Sequence, residues 1–407
     1  MKPPVQLHEV NRINALNLIR LRGPLSKNMI AKQIQVSPTT AATILNKLID
    51  EGYVQEEGVG HSTGGRKPVL YRFNPDKSFI IALSLANSSV RIAALNLEGH
   101  VRSEQYGQVD SLRGEAYIDF VMKTLSEFIG RFEKLDECLG ISIVVPGIVQ
   151  AERGIVSYNA KLDLYDVHLK QKVEAAFGLR TYVDNDMNAM MMAEKQFGTA
   201  RYKEMLFISV GEGVGSGLSV NGSIYRGFSG SAGEIGHMSV LPGGPACPCG
   251  NQGCLENYVN WPAIYSRILS AWLTQGVKTA IIENAAGRPE AIKPTDFVEA
   301  ACAGDPFALT VVEEMAESLA VAITNSLHLL NPQAVVLTGP HVQNNLPLFK
   351  RLNEKINSRA LNPIARHTEV KPASLETNKD ILGALAVLLQ YEMQVGKYEL
   401  FLPEAND

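Results

Sequence analysis

The chain contains 407 residues, of which 45% are hydrophobic and 20% are charged, and its formal net charge is −4. This composition is typical of a globular protein, and the length predicts two or three domains. No apolar stretch reaches the roughly 18 to 20 residues of a membrane span, and residues 1–4 lack the apolar core of a signal peptide. Five cysteines, three of them clustered, argue against a disulfide framework and for a reducing cytoplasm.

The charge is unevenly distributed along the chain. Residues 1–77 hold 11 Lys and Arg against 6 Asp and Glu, whereas residues 78–407 hold 27 against 36. A small basic segment ahead of a larger acidic body suggests that the first segment contacts a polyanion. An ordinary solvated surface is the plainer explanation of the same balance.

Three short helices are predicted in the first 50 residues. Apolar residues recur at helical spacing over residues 8–22. Ser26 is the expected N-cap of a second helix, and Ser37-Pro38 provides the N-cap and first residue of a third. This order is a helix-turn-helix, whose last helix can enter a major groove of DNA. The predicted DNA-contacting residues of this helix are Ser37, Thr39, Thr40, Thr43, Asn46 and Lys47.

A hairpin with a basic tip follows the three helices. Its predicted strands cover residues 52–55 and 69–73. The glycine-rich loop between them carries Arg66 and Lys67 near its tip, which is slim enough for a minor groove. A solvent-exposed hairpin is the alternative. Three helices and a basic hairpin together predict a winged helix-turn-helix DNA-binding domain over residues 1–77.

Residues from 78 onward alternate apolar strands with helices. Predicted strands cover residues 79–83, 90–97, 139–145, 181–183, 205–210 and 334–339. Predicted helices cover about 114–134, 167–178, 259–275, 306–330 and 379–395. The order strand-strand-strand-helix-strand-helix occurs twice, which predicts two α/β lobes with a cleft between them. We expect lobe 1 to contain residues 78–195 plus about 379–396, and lobe 2 to contain residues 196–378.

Two polar segments follow strands of this body. Asn185 and Asp186 come directly after a strand, where α/β folds bind their ligands. Residues 211–217 form a glycine-rich segment after the next strand, and its backbone amides could receive a phosphate. Such a segment is often only a turn.

The most specific motif combines one histidine with three of the five cysteines. Its members are His237, Cys247, Cys249 and Cys254. Three thiolates and one imidazole form a closed tetrahedral set for Zn²⁺, which is typical of a structural rather than a catalytic site. Glu234 and Glu256 flank the motif, so the same stretch brings polar side chains close to the predicted zinc.

Five segments carry a recognisable pattern: Gly64-Gly65-Arg66-Lys67-Pro68, Val145-Pro146-Gly147, Asn185-Asp186-Met187-Asn188, Gly233-Glu234-Ile235-Gly236-His237 and Cys247-x-Cys249-Gly250-x-x-Gly253-Cys254-Leu255-Glu256. In these five segments the chain resembles the ROK family (repressors, open reading frames, kinases), and the resemblance extends over essentially its whole length. It is most similar to the winged-helix repressor branch, which includes the N-acetylglucosamine, xylose and glucose-regulon repressors. The resemblance implies a two-lobed α/β fold of the actin-like and hexokinase-like type behind the winged helix-turn-helix.

The resemblance also implies roles for individual residues. In sugar-phosphorylating relatives, sugar hydroxyls are bound by the residues that match Asn185, Asp186, Glu234, His237 and Glu256. The aspartate that matches Asp186 is the general base of those enzymes. Zinc is bound by the residues that match His237, Cys247, Cys249 and Cys254. A zinc-bound His237 would face the metal with one ring nitrogen and the sugar with the other, so the metal would fix its orientation.

Three stretches depart from the kinase pattern. The phosphate loop of the kinases is replaced by Ser-Leu-Ala-Asn-Ser at residues 84–88, without its aspartate and glycines. Glu212 places a carboxylate where phosphates would lie, and residues 338–340 read Thr-Gly-Pro where a Gly-Gly pair is usual. Because phosphoryl transfer depends on positioned and neutralised phosphates, we predict that the chain is not an enzyme and that Asp186 is a vestigial base.

The sequence therefore predicts a sugar-responsive transcriptional regulator, in the first instance a repressor of genes for carbohydrate uptake or catabolism. Its expected partners are a double-stranded DNA operator, a sugar or sugar phosphate in the cleft between the lobes, and further copies of itself in a homodimer or homotetramer. Two alternatives remain at this point. One is a sugar kinase with an appended DNA-binding domain, and the other is a regulator controlled by a protein partner.

Overall fold

The computed structural model describes residues 7–60, 67–109 and 111–393. Contacts divide the chain into two compact units. Unit 1 contains the residues up to Asp184 and those from Asp380 onward, and unit 2 spans Asn185–Lys379. Over the described ranges, no helix combines the length and the apolar character needed to cross a membrane.

The N-terminal part of unit 1 is a winged helix-turn-helix. Its elements are α1 (Leu7–Arg22), β1 (Leu25–Ser26), α2 (Lys27–Gln33), α3 (Pro38–Asp50), β2 (Val54–Val59) and β3 (Val69–Phe73). The three strands form an antiparallel sheet in the order β1-β3-β2. Because β1 has only two residues, it carries no periodic signal, and sequence reasoning missed it.

Both predicted helix caps of this region are confirmed. Ser26 Oγ accepts a hydrogen bond from Met29 N at 3.4 Å, and Ser37 Oγ accepts one from Thr40 N at 3.0 Å. The apolar face of α3 is buried with its core residues Ala41, Ile44, Leu45 and Leu48. Burial of one face of α3 fixes which side chains its other face presents to solvent.

The remainder of unit 1 is an α/β fold. Its elements are β4 (Phe79–Leu85), β5 (Ser89–Asn96), β6 (Val101–Gln108), α4 (Gly114–Ile129), β7 (Cys138–Val145), β8 (Ile148–Gln150), β9 (Ile155–Asn159), β10 (Leu164–Val167), α5 (Leu169–Phe177) and β11 (Thr181–Asn185). The main sheet has the order β11-β7-β4-β5-β6, and β8 to β10 form a small separate sheet. The predicted helix over 114–134 ends early, at Ile129, where Gly130 with its low helix propensity follows.

Unit 2 contains a second α/β fold. Its elements are α6 (Asp186–Gln196), β12 (Met205–Val210), β13 (Val214–Val220), β14 (Ser223–Ile224), α7 (Glu256–Val259), α8 (Trp261–Gln275), α9 (Ala280–Asn284), α10 (Pro294–Cys302), α11 (Pro306–Leu330), β15 (Ala334–Thr338), α12 (Leu346–Arg359), α13 (Asn362–Ala365) and β16 (Glu369–Pro372). The sheet order is β14-β13-β12-β15-β16. The last helix, α14 (Lys379–Glu392), begins at the last residue of unit 2.

The two main sheets repeat one plan. In each, an antiparallel three-stranded run (β4-β5-β6 and β12-β13-β14) is extended by a parallel strand next to its first member, β7 and β15 respectively. The twofold α/β pattern expected from the sequence is therefore confirmed. Apolar residues of β12 and β15 and of the helices α8, α10, α11 and α12 form the core of unit 2.

The glycine-rich segment 211–217 differs from the prediction. Only Gly211–Gly213 forms a turn, closed by a hydrogen bond from Gly211 N to Gly213 O at 2.9 Å, and β13 begins at Val214. Gly215 lies inside this strand, where a Cβ atom would come within 2.7 Å of Met187 Cγ on α6. The glycine thus permits close packing of a helix on a strand, and it lies in the strand instead of in the turn.

Candidate metal and ligand-binding site

The four predicted metal ligands come together in one loop of unit 2. His237 ends a short 3-10 turn, and the cysteines lie in the following irregular segment, which two isolated β-bridges hold in shape. Cys249 Sγ and Cys254 Sγ are 3.7 Å apart, Cys247 Sγ and His237 Nδ1 are 3.8 Å apart, and all four ligand atoms lie within 4.8 Å of one another. Bonds of about 2.0 to 2.3 Å in a tetrahedron around Zn²⁺ require ligand separations of roughly 3.5 to 3.8 Å.

The ionisation of the thiols supports a cation at this place. Burial, together with hydrogen bonding to Cys249 and Cys247, raises the pKa of Cys254 to about 12. The exposed Cys249 has a lowered pKa, because the Asn251 backbone N–H and the Cys247 thiol donate to it. Three adjacent thiols ionise together only when a positive charge compensates them, and a divalent cation supplies that charge. The cluster therefore fits a metal ion in both its distances and its donor chemistry.

A glycine fixes the path of the loop that carries the cysteines. Gly253 has φ of 70°, and a Cβ atom there would lie 1.9 Å from Leu241 O. Its own N–H donates to Pro245 O, while Leu255 N donates to Met238 O across the loop. Only a residue without a side chain fits this crossing, which places the adjacent Cys254 thiol in the cluster.

The predicted ligand-binding pair lies at the beginning of α6. Asn185 Oδ1 accepts hydrogen bonds from Met187 N at 2.9 Å and Asn188 N at 3.1 Å, so this side chain is the N-cap of the helix. Asp186 Oδ1 also accepts from Met187 N, at 3.0 Å. Removal from water, together with repulsion from Glu234, raises the pKa of Asp186 to about 6. Sequence reasoning placed this pair after a strand, whereas Asn185 is the last residue of β11 and Asp186 the first of α6, a helix that the sequence did not predict.

Glu234 and Glu256 belong to the same electrostatic cluster. Desolvation and the nearby Glu256 raise the pKa of Glu234, whereas His237 lowers it. The charge of Glu234 raises the pKa of Asp186, so Asp186 belongs to the same cluster. Unit 2 thus brings all five residues predicted to bind sugar into one neighbourhood. The fifth, Asn185, precedes Asp186 in the chain.

Glu256 has a role that the sequence did not indicate. Its Oε2 accepts a hydrogen bond from Val214 N at 2.9 Å, at the start of β13. A Cβ atom on Gly213 would lie 3.0 Å from the same oxygen, so the glycine makes room for the carboxylate. Glu256 therefore joins the segment after the metal loop to the turn between β12 and β13.

The corresponding turn of unit 1 is also closed on itself. Ser84 lies inside β4, and Ala86 N donates to Ser89 O at 2.9 Å. Tyr117 Oη donates to Ala86 O at 3.1 Å. Residues 84–89, where the sequence predicted a lost phosphate loop, thus form a tight hairpin turn in which the Ala86 amide is already hydrogen-bonded.

The predicted DNA contacts occupy the exposed side of α3. Thr39, Thr43, Asn46 and Lys47 are exposed, as are Ser37 before the helix and Lys67 at the base of the wing, while Thr40 is half-buried. Three of the hydroxyls have intramolecular partners, since Ser37 Oγ and Thr40 Oγ1 are 2.8 Å apart and Thr43 Oγ1 donates to Thr39 O at 3.2 Å. Arg66 lies outside the described residues. Asn46 and Lys47 are the longest polar side chains on this face.

The fold and the site together define a class of protein: a winged helix-turn-helix followed by two α/β units, the second with a His-Cys₃ cluster. The profile of the ROK family matches residues 80–391. The chain therefore belongs to the ROK family.

Curated relatives match almost the whole chain. The xylose repressor of Caldicellulosiruptor bescii is 29% identical over 397 residues, which are 96% of this chain and 98% of that protein. The DNA-binding transcriptional dual regulator NagC of Escherichia coli is 28% identical over 388 residues, covering 93% of this chain and 92% of that protein.

Solved structures show the same fold. A ROK family transcriptional regulator, a homologue of the Escherichia coli MLC protein, superimposes with a TM-score of 0.81 at 24% identity over 96% of this chain and 98% of its own. A ROK family glucokinase from Streptomyces griseus, in complex with glucose and AMPPNP, gives 0.65 at 24% identity over 76% of this chain and 98% of its own. The two α/β units therefore have the actin-like fold common to regulators and kinases of the family.

Proposed function

We propose that this chain is a sugar-responsive transcriptional repressor of carbohydrate uptake or catabolism genes. The observation that carries the proposal is the presence, in one chain, of a winged helix-turn-helix and a clustered set of carboxylates, amide and histidine beside four metal ligands. The relatives named as xylose repressor and as the regulator NagC support the same assignment. We further propose the division into a DNA-binding domain at 1–77 and lobes at 78–195 plus about 379–396 and at 196–378.

The DNA-binding part of the proposal rests on α3 and the wing. The exposed Thr39, Asn46 and Lys47 of α3 would face base edges and phosphates in a major groove, with Arg66 and Lys67 of the wing in the neighbouring minor groove. Each phosphate contact releases counterions, so operator affinity should fall steeply as salt rises. A homodimer or homotetramer would present two such domains to two half-sites.

The effector part rests on the polar cluster of unit 2. A sugar presents donors and acceptors in alternation, and fixed carboxylates with an amide match that pattern. Asp186 and Glu234 would accept hydrogen bonds from sugar hydroxyls. Glu256 would accept through Oε1, because its Oε2 already accepts from Val214 N. Asn185 would donate, because its carbonyl oxygen caps α6.

Zinc would act as a structural cofactor, held by His237, Cys247, Cys249 and Cys254. His237 Nδ1 is the ring nitrogen near the Cys247 thiol. Zinc at Nδ1 would leave the proton on Nε2, which would then donate to a sugar oxygen. The zinc would thus fix a hydrogen-bond donor of the sugar site while contacting no sugar atom itself.

Several observations favour regulation over catalysis. The turn that replaces the phosphate loop uses its Ala86 amide internally, and the turn of unit 2 carries Glu212 and has its Val214 amide bonded to Glu256. Phosphates would find these two amides occupied and an added negative charge at the second turn. We propose that the chain binds sugar and DNA in the cytoplasm without turnover.

Operator binding tests the proposal directly. The purified full chain selects its operator from random duplex DNA, and fluorescence anisotropy then measures affinity with and without D-xylose, D-glucose, N-acetylglucosamine and their phosphates. We expect one sugar to weaken operator binding at least tenfold and to raise the melting temperature, since a ligand at 100 times its Kd adds about 2.7 kcal/mol. Unchanged operator affinity with every compound would sink the direct-effector proposal.

One observation favours a second candidate, a sugar kinase. The pKa of Asp186, about 6, suits a general base near neutral pH. A coupled assay of ADP release with the same sugars decides between the two. Turnover that disappears in Asp186→Asn would establish a sugar kinase. It would contradict the hypothesis that the two turns cannot bind phosphates.

A further inference from the structure

Helix α6 has a polar anchor at the end opposite to the candidate sugar residues. Glu194, in its last turn, is 2% exposed. Its Oε1 accepts from Ser374 N at 2.9 Å and from Ser374 Oγ, and its Oε2 accepts from Leu375 N at 3.0 Å. A buried carboxylate is expensive to desolvate, and here three donors compensate it.

The anchor binds the segment by which the chain leaves unit 2. Residues 373–379, here called the connector, lead from the end of β16 into α14. Its last residue, Lys379, is the first residue of α14 and the last residue of unit 2. Glu194 therefore joins two stretches that are 180 residues apart in sequence. One of them, α6, directly follows the point at which the chain enters unit 2 at Asn185.

Two further side chains complete the attachment of residues 373–379. Gln343 Nε2 donates to Ala373 O at 3.3 Å and to Leu375 O at 3.2 Å. Lys379 Nζ donates to Gln343 Oε1 and to Thr338 Oγ1 at the end of β15. The connector is therefore held from both sides, by α6 and by the end of a core strand.

The contact between α6 and the connector leaves no space for adjustment. A Cβ atom on Gly198 would lie 2.6 Å from Ser374 Oγ and 2.7 Å from Glu194 Oε1. Thr199 N also donates to Ser374 Oγ, at 2.8 Å. A displacement of α6 must therefore move residues 374–375 or break a set of short hydrogen bonds.

We infer that Glu194 is a positioning residue that links the ligand end of α6 to the connector at residues 373–379, and so transmits effector binding out of unit 2. The eleven residues of α6 extend about 16 Å from Asp186 to Gln196. A helix of this length behaves as one rigid element, so a shift at Asp186 reaches Glu194. The regulatory meaning of this link rests on the function proposed above, but the link itself does not.

Hydrogen exchange of the full chain without ligand tests the link. In Glu194→Gln, the amide nitrogen that replaces one oxygen cannot accept a hydrogen bond, so the connector loses part of its anchor. We expect exchange to accelerate at least tenfold both in residues 373–379 and in α6, with β12 and β15 unchanged. Ser374→Ala, a milder change at an exposed residue, should give the same pattern with a smaller amplitude.

Asp305→Asn is the matched control. Its carboxylate also accepts two backbone N–H groups and one hydroxyl, but it joins α9 to the start of α11. Asp305→Asn should accelerate exchange around those helices and leave α6 and the connector as in the native chain. Acceleration in Glu194→Gln that stays confined to residues 373–379 would overturn the inference.

Operator binding then tests the regulatory meaning. With the sugars named above, Glu194→Gln and Ser374→Ala should reduce the ratio of operator affinities without and with sugar at least threefold, while the sugar Kd without DNA stays within about twofold of the native value. An unchanged ratio together with a lower melting temperature would show a structural role only and contradict transmission. If the native chain itself shows no sugar effect, the proposed function fails, and the exchange pattern alone decides the link.

Discussion

Two turns occupy corresponding places in the two units but are supported in different ways. The turn between β4 and β5 is supported from a hydrophobic core, through the neutral hydroxyl of the buried Tyr117 to Ala86 O. The turn between β12 and β13 is supported by an ionisable group, Glu256, which accepts from Val214 N. Since Glu256 follows Cys254 by two residues, the second turn depends on the metal loop and the first does not. We therefore expect loss of the metal to disturb the second turn and to leave the first turn unchanged.

The largest expected effect comes from removing a metal ligand. Cys254→Ser should abolish stoichiometric zinc binding and lower the free energy of unfolding by about 4 kcal/mol, as is typical when a metal is lost. Hydrogen exchange should accelerate at the β12–β13 turn and remain unchanged at the β4–β5 turn. Metal analysis, urea unfolding and exchange measure the three effects. Cys302→Ser is the control, since the exposed Cys302 thiol donates to Asn344 O and is not a predicted metal ligand. Equal acceleration of exchange at both turns in Cys254→Ser would contradict the proposed dependence of the second turn alone on the metal loop.

The next effect comes from the carboxylate of the second turn. Glu256→Ala should cost about 2 kcal/mol of stability, because the Val214 N–H loses its acceptor. It should also weaken sugar binding at least tenfold in calorimetric titration. Glu212→Ala, on the same turn but exposed, should change the free energy of unfolding by less than about 0.5 kcal/mol. A loss of sugar affinity in both variants would mean that the turn itself, and not Glu256, recognises the ligand.

Asp186→Asn should stabilise the ligand-free protein while weakening sugar binding. The folded-state pKa, about 6, lies above the ordinary 3.8, so the ionised carboxylate destabilises the fold above pH 6 and this cost fades as pH falls. Because the Asp186 side chain is half-buried, we expect a gain of only about 1 kcal/mol at pH 8, which falls to about half at pH 5 and vanishes only below about pH 4, where the unfolded chain is protonated too. Urea unfolding at the two pH values measures it. A gain that is independent of pH would assign the effect to packing instead of charge.

The smallest effect belongs to the first turn. Tyr117→Phe removes the hydrogen bond to Ala86 O and should cost about 1 kcal/mol of stability. Sugar affinity, operator affinity and zinc content should all stay at native values. A change in sugar affinity would show that the first turn also influences ligand binding.

Local chemistry made much of the fold predictable. Ser26 and Ser37 cap helices because a serine ahead of an apolar periodic run is a local signal, and the four metal ligands fall within 18 residues. In contrast, α6 reads Asp-Met-Asn-Ala-Met-Met-Met-Ala-Glu-Lys-Gln and is buried on several sides, so no clear apolar stripe marks it. Strands β8 to β10 have three to five residues, too few for an alternating pattern.

The long-range contacts around the candidate site could not be predicted. The hydrogen bond between Glu256 and Val214 spans 42 residues, and that between Glu194 and Ser374 spans 180. Neither pair has a local spacing rule, because each depends on how β-strands and helices pack. Gly213 and Gly198 were the available hints, since each makes room for a carboxylate. A single sequence does not show, however, why a glycine is required at a given position.

The glycines of β13 also determine which movements remain open to α6. At Gly215 and Gly217 the helix lies so close to the strand that a methyl group would come within 2.7 Å of Met187 Cγ or 3.0 Å of Met187 O. The helix therefore cannot approach the sheet any further. Near the other end of the helix, Lys195 Nζ donates to Ser219 Oγ at 2.6 Å and to Gly222 O at 2.8 Å, so α6 is also tied along the strand. Two missing methyl groups thus set how closely the sheet holds the helix that carries Asp186.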